Sequence, residues 1–353
     1  MQRTLAGLVA ILALLSACAA PVEQPLDAPE EPEATELEVT PEALADTGLA
    51  ETLLPHGLHL VLQGAGHAFV VLAVASPEAP SFGPIEWVSQ DGAAPQTYRA
   101  LLEGADEQRA RALSERYILF GVGGELCRVE ADDLGVLRRA GFEQSYQWHE
   151  QNVGREPSVD TAWELEGQSE LLVARVGALP AACQGALWAG TERAQPKAVF
   201  AAETGSDPVL AARALARFRE LDEYAAIQGE YAEAPPEGTV TVRPVGPWDQ
   251  YEGAAPTTSL FRDRASGRRL VLISATAGQG CGDFGGSLWA LFEARSGELI
   301  VRAVQQGDGA PSAVVDADGD GNFELFTPER ATFVSDGERG EVDVSVPSTG
   351  CGC

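Results

Sequence analysis

The sequence predicts an α+β fold: a mixed N-terminal portion with one clear amphipathic helix, then a β-rich C-terminal portion folded as an antiparallel meander. Three observations lead there. Asp207-Pro208 opens a stretch in which Leu210, Ala214, Phe218, Leu221 and Ala225 recur on one helical face. Upstream of it, Val- and Leu-rich runs are cut by glycines, as strands joined by turns are. Beyond Pro235-Pro236, short apolar runs alternate with Gly-containing turns.

Taken in order, Leu58 to Leu62 and His67 to Ala75 read as paired strands separated by Gly64 and Gly66, and Ile85 to Ser89 as another. Tyr98 to Arg116 has helical spacing, with Leu101, Leu102, Ala105, Ala112 and Leu113 as core positions. Tyr117 to Gly121 and Glu125 to Val129 read as a hairpin turning at Gly123-Gly124; Leu171 to Val176 and Lys197 to Ala202 add strands. The amphipathic helix starts at Asp207, an N-cap with proline at the first helical position, and is expected to stop at Gly229. The later strands are Ser259 to Asp263, Arg269 to Ala275, Ser287 to Glu293, Glu298 to Val304, Ala313 to Val315, Phe323 to Phe326, Thr332 to Ser335 and Val342 to Val346. Ser266-Gly267 and Ser296-Gly297 read as hairpin turns. No repeat of fixed period is present. The expected organisation is residues 51–234 as an α+β domain and 235–353 as a β-rich domain, or the two as one continuous domain.

What precedes residue 51 is of another kind. A single cation, Arg3, is followed by an uncharged apolar run from Leu5 to Leu15, shorter than the about 20 residues a membrane-spanning helix needs. This is the make-up of a secretory signal over residues 1–17. Leu15-Ser16-Ala17-Cys18 resembles the lipobox of bacterial lipoproteins, in which the cysteine thiol takes a diacylglyceryl group after cleavage before it. The resemblance implies a chain lipidated at Cys18, held to a membrane through its lipid anchor in the bacterial cell envelope. Ala19 stands where an Asp would signal inner-membrane retention, which leans toward the outer membrane. Residues 18–50 are rich in Pro and Glu, and no Lys or Arg occurs between Arg3 and Arg99. Such a segment buries too little apolar surface to offset its ordering entropy and reads as an acidic, disordered tether.

The formal net charge of −29 excludes nucleic acid as a partner, because its phosphates would be repelled. After Cys18, five cysteines remain: Cys127, Cys183, Cys281, Cys351 and Cys353. An exported compartment permits disulfides. The expected pairing is Cys127 with Cys183, and Cys281 with Cys351 or Cys353; other connectivities stay open.

The stretch richest in chemistry is Asp316-Ala317-Asp318-Gly319-Asp320-Gly321-Asn322-Phe323-Glu324. Three carboxylates at steps of two converge only if the backbone curls, which Gly319 and Gly321 allow. Close like charges repel, and a hard, oxygen-seeking cation such as calcium removes that cost. The predicted ligands are the side chains of Asp316, Asp318, Asp320 and Glu324 and the backbone carbonyl of Asn322. An EF-hand loop is excluded because its twelfth position, a bidentate Glu, is Thr327 here. The stretch resembles instead the calcium loops of FG-GAP and related β-propeller blades, D-x-D-x-D-G-x-x-D between strands. Glu324 replaces the last Asp, and only one copy is present. The resemblance implies a structural calcium site, not a propeller.

Other patterns fail as sites. Gln279-Gly280-Cys281-Gly282-Asp283 with Ser287-Leu288-Trp289-Ala290 is similar to a papain-like motif, but Leu288 stands where the nucleophile belongs. Gly285-Gly286-Ser287-Leu288-Trp289 lacks the closing glycine of a nucleophile elbow. His56, His59 and His67 could form a zinc site only on one face, and on a strand residues three apart face opposite sides. No catalytic residues are therefore assigned. The expectation is a non-enzymatic envelope lipoprotein that binds or assembles with a partner. The alternatives are an extracytoplasmic hydrolase with dispersed residues, or a thiol- or metal-handling protein using Cys351-Gly352-Cys353.

Overall fold

Two nine-stranded sheets, antiparallel at every pairing between described strands, share one core. The computed structural model describes residues 53–74, 82–89, 96–102, 106–140, 167–233, 246–251, 254–278, 284–307, 309–335 and 338–345. The expected signal and tether, Cys18, Cys281, Cys351 and Cys353 lie outside them. The described residues fall in one compact unit, Thr47–Cys353.

The first sheet contains β1 (Leu58–Gly64), β2 (His67–Val74), β3 (Glu86–Ser89) and β4 (Gln96–Ala100). After a short helix, α1 (Asp106–Ser114), come β5 (Arg116–Gly121), β6 (Gly124–Glu130), β7 (Asp133–Ala140), β8 (Gly167–Val176) and β9 (Trp188–Thr191). Their order across the sheet is β3-β4-β7-β8-β2-β1-β9-β5-β6. The second sheet begins with β10 (Ala198–Ala202), followed by two helices, α2 (Pro208–Phe218) and α3 (Asp222–Glu233). It continues with β11 (Thr257–Asp263), β12 (Arg269–Ala277), β13 (Gly286–Arg295), β14 (Glu298–Gln306), β15 (Ala313–Asp316), β16 (Glu324–Phe326), β17 (Arg330–Ser335) and β18 (Glu338–Asp343). The order is β14-β13-β12-β11-β10-β15-β16-β17-β18.

The change of sheet thus falls between Thr191 and Ala198, earlier than the change of composition at residues 234 and 235. Strand β10 sits mid-sheet between β11 and β15, and both following helices pack on the second sheet. Among the described residues the N-terminal portion is itself mainly strand, with one short helix, α1, so the described chain is β-rich throughout.

Burial explains the apolar runs. In β12, Val271 and Ile273 join the helices, whereas Leu270 and Leu272 join Phe200 and Trp289 on the other face. A strand covered on both sides has no reason to alternate polar and apolar. The first sheet is split the same way: Leu58, Leu60, Phe69 and Val71 face the shared core, and Val61, Ala68 and Val70 face away from it. Trp188 of β9 lies within that shared core, fully buried, stacked on Phe120 at 3.9 Å and on Phe326 of the second sheet at 5.4 Å between centroids. Arg139 of β7, also buried, reaches across to the Val344 carbonyl and the Glu329 carboxylate.

Three expectations are corrected. The predicted helix from Tyr98 to Arg116 is a strand, a shorter helix and the start of another strand. Tyr98 is drawn into the β4–β7 ladder opposite Leu137, Leu102 is exposed, and only Asp106–Ser114 is helical. Gly135 of β7 gives the Tyr98 ring its room, since an added Cβ there would lie 2.5 Å from it. Second, the amphipathic helix begins as predicted, with the Asp207 carboxylate accepting from the Leu210 amide at 3.0 Å, but it ends at Phe218. A new helix starts at Asp222 and runs through Gly229. Asp222 and Glu223 favour that restart at a helix N-terminus, and the buried stripe moves to Tyr224, Ile227 and Tyr231, leaving Ala225 exposed. Third, strands β7 and β9 carry too much charge or too little length to be read in advance.

Candidate metal centre

The loop from Ala317 to Phe323 closes a hairpin. Its strands are in register, with Val315 opposite Glu324 and Val314 opposite Leu325, so Asp316 and Glu324 stand at the two entrances. Gly319 and Gly321 take φ of +84° and +87°, the left-handed region that a side chain disfavours. These two reversals curl the chain around its own carboxylates. The Asp320 amide donates to Asp318 Oδ1 at 3.0 Å, and the Asn322 amide to Asp320 Oδ1 at 2.6 Å.

One carboxylate oxygen each from Asp316, Asp318 and Asp320 lies within 4.8 Å of the others. Calcium–oxygen bonds are about 2.3–2.6 Å long, so oxygens on opposite sides of one ion stand about 5 Å apart. The three aspartates therefore fit a single calcium ion without the loop having to open. Asp316 is fully buried, and Asp318 and Asp320 face solvent, a half-open site into which water can supply further oxygens.

Glu324, the other predicted side-chain ligand, is placed differently. The Glu324 carboxylate, 3 % exposed, accepts from the Ala317 amide at 2.9 Å and is not one of the three converging groups. Burial pushes its pKa up, against the Ala317 hydrogen bond. It braces the two ends of the loop. Asn322 uses its side-chain amide to donate to Asp320 Oδ2 at 2.6 Å.

Residues outside the motif hold the loop on both sides. Arg268, at the end of the β11–β12 turn, donates from Nη1 to Asp316 Oδ2 at 2.8 Å and from Nε to Glu293 Oε1 at 2.9 Å. Arg302 donates to the second oxygen of Glu293 at 2.8 Å. From the turn that precedes β1, His56 Nε2 lies 3.8 Å from Asp318 Oδ2. Nothing in the residue pattern connects Arg268 with Asp316, 48 positions away. The available hint was a charged pair, Arg268-Arg269, set directly before the apolar run Leu270 to Ile273.

Among the described residues, His56, His59 and His67 do not converge on one point. His59 is buried, with Nδ1 3.2 Å from the Val71 carbonyl oxygen and its ring edge-on to Tyr117, and burial lowers its pKa to about 4. His56 turns to the loop and His67 to Phe69. Ser287 donates to the Gly307 carbonyl at 3.0 Å and meets the Thr276 hydroxyl, a strand-edge role. A groove of about 660 Å³ at the start of α2 is lined by Glu203, Asp207, Arg262, Arg264 and Arg269 among others. Arg269 there is held by both carboxylates, at 2.8 and 3.0 Å. Cys127 of β6 is joined to Cys183, Cα–Cα 5.5 Å, which ties an edge strand of the first sheet to the segment before β9. No family model, curated protein or solved structure matches the chain.

Proposed function

We propose that the chain is a lipid-anchored protein of the bacterial envelope whose β-rich body carries a structural calcium ion in the 316–324 loop and acts by binding or assembling with an envelope partner. The observation that carries the calcium reading is the convergence of Asp316, Asp318 and Asp320 within the span of one ion. The ion would be held by these three carboxylates, with the Asn322 carbonyl and water completing its oxygens. It would cancel the mutual repulsion of the aspartates and lock β15 to β16, the strands that carry Val315 and Phe326 into the shared core. The Cys127–Cys183 bridge suits an oxidising, exported compartment. The lipobox-like Leu15-Ser16-Ala17-Cys18 supports the anchor, and the outer membrane is the favoured destination. The finer architecture is read as an α+β chain whose C-terminal strands run as a meander from β11 to β14, with the helices on one face.

Thermal unfolding tests the metal. The purified chain should melt higher in calcium than in chelator, and Asp318→Ala should abolish the difference; equal melting of the wild type in both media contradicts the reading. The anchor is tested separately by expressing Cys18→Ser, which should move from the membrane fraction to the soluble one.

A further inference from the structure

We infer that Arg268 is the resident counter-cation of the 316–324 loop: it lets the loop keep its shape without metal and holds one oxygen of Asp316 back from the ion. The inference rests on the calcium reading above and adds what governs that site. Asp316 is fully buried, so its charge needs a partner whether or not metal is bound. Arg268 supplies one, donating to Oδ2 at 2.8 Å. The other oxygen, Oδ1, faces the loop, where the Gly321 amide stands 3.5 Å away. The carboxylate is divided: one oxygen is committed to a guanidinium and one turns toward the loop with Asp318 and Asp320.

Arg268 cannot easily swing away. Its guanidinium carbon lies 5.3 Å from the ring centres of both Phe200 and Phe323, which themselves meet edge to face at 5.4 Å. Its Nε is held by Glu293, which is in turn held by Arg302, and its carbonyl accepts from the Asp263 amide at 3.0 Å. A cation fixed in this way does part of the ion's electrostatic work permanently. It also keeps Asp316 from binding the metal with both oxygens.

The test compares melting temperatures of the full chain as wild type, Arg268→Gln and Arg268→Lys, each in chelator and in calcium. Arg268→Gln should melt lower than wild type by on the order of 5 °C or more in chelator, and calcium should recover most of that loss, so its calcium increment exceeds that of the wild type. Arg268→Lys, which keeps the charge, should retain the wild-type increment. A loss of equal size in both media for Arg268→Gln would make the residue merely structural and overturn the inference while leaving the calcium reading intact. An absence of any calcium effect on both wild type and Arg268→Gln would remove the two together. If Arg268→Gln yields no folded protein, Arg268→Lys decides: a melting temperature in chelator close to that of the wild type, with a wild-type increment, supports the inference, and a large loss in chelator that calcium leaves unchanged overturns it.

Discussion

Two hairpin connections of the second sheet solve the same problem in opposite ways. At the turn between β11 and β12, a single carboxylate, Asp263, accepts from the Ala265 and Ser266 amides, at 3.2 and 2.8 Å, and from the Ser266 hydroxyl. The turn closes on itself. At the loop between β15 and β16, three aspartates crowd together, and the buried one is answered from outside by Arg268. One aspartate is enough to cap a short turn. Each of the three accepts an amide of the loop, yet single amides do not cancel three crowded charges, and the surplus negative charge is what makes the second loop a metal candidate. The two connections are also physically joined, since Arg268 ends the first and pairs with the head of the second.

The largest effect should come from cutting that joint on the loop side. Asp316→Ala leaves Arg268 with Glu293 as its one remaining carboxylate, at a cost of about 2–4 kcal/mol, discounted from a fully buried pair because Arg268 is partly exposed. Calcium should not recover it, because a ligand has gone as well. Chemical denaturation in calcium and in chelator would check both parts.

The next effect lies in the first sheet and gives a control independent of the loop. His59 titrates near 6.5 when unfolded and near 4 when folded. Between those values the unfolded chain binds a proton that the folded chain refuses. Stability is therefore full above pH 6.5 and falls as pH drops toward 4, by up to about 3 kcal/mol. His59→Gln should flatten this part of the pH–stability profile with or without calcium.

Asp263→Ala opens the self-closed turn and should cost about 1–2 kcal/mol for its lost hydrogen bonds, by the same amount in both media. The smallest effect without metal should be that of Asp318→Ala, an exposed site whose removal relieves repulsion. Its consequence should appear only in calcium, as a lost increment in melting temperature. If instead Asp263→Ala were calcium-sensitive and Asp318→Ala were not, the contrast between the two connections would be reversed.

Much of this was legible in the residues. Strands buried on both faces announce themselves as runs such as Leu270-Val-Leu-Ile273, and hairpin turns as Ser296-Gly297, where both residues take positive φ. The three aspartates of the loop could be named from their spacing. Strand β7 could not: Asp133, Gly135, Arg138 and Arg139 read as surface, because the partners that make Arg139 a core residue, Glu329 and Val344, lie far along the chain, next to β17 and β18. Tyr98 to Arg116 failed for a related reason, since helical spacing is a local signal and ladder pairing with β7 is not. Glu324 was assigned to the ion by its place in the motif, yet it braces the Ala317 amide; a position predicts a ligand only when nothing nearer claims the oxygen.

Equilibrium calcium binding to the purified full chain tests the central claim most directly. The loop should take up one calcium ion per chain, Asp318→Ala should lose it, and Asp263→Ala should keep it. A chain that binds no calcium, or binds it equally after Asp318→Ala, would contradict the account.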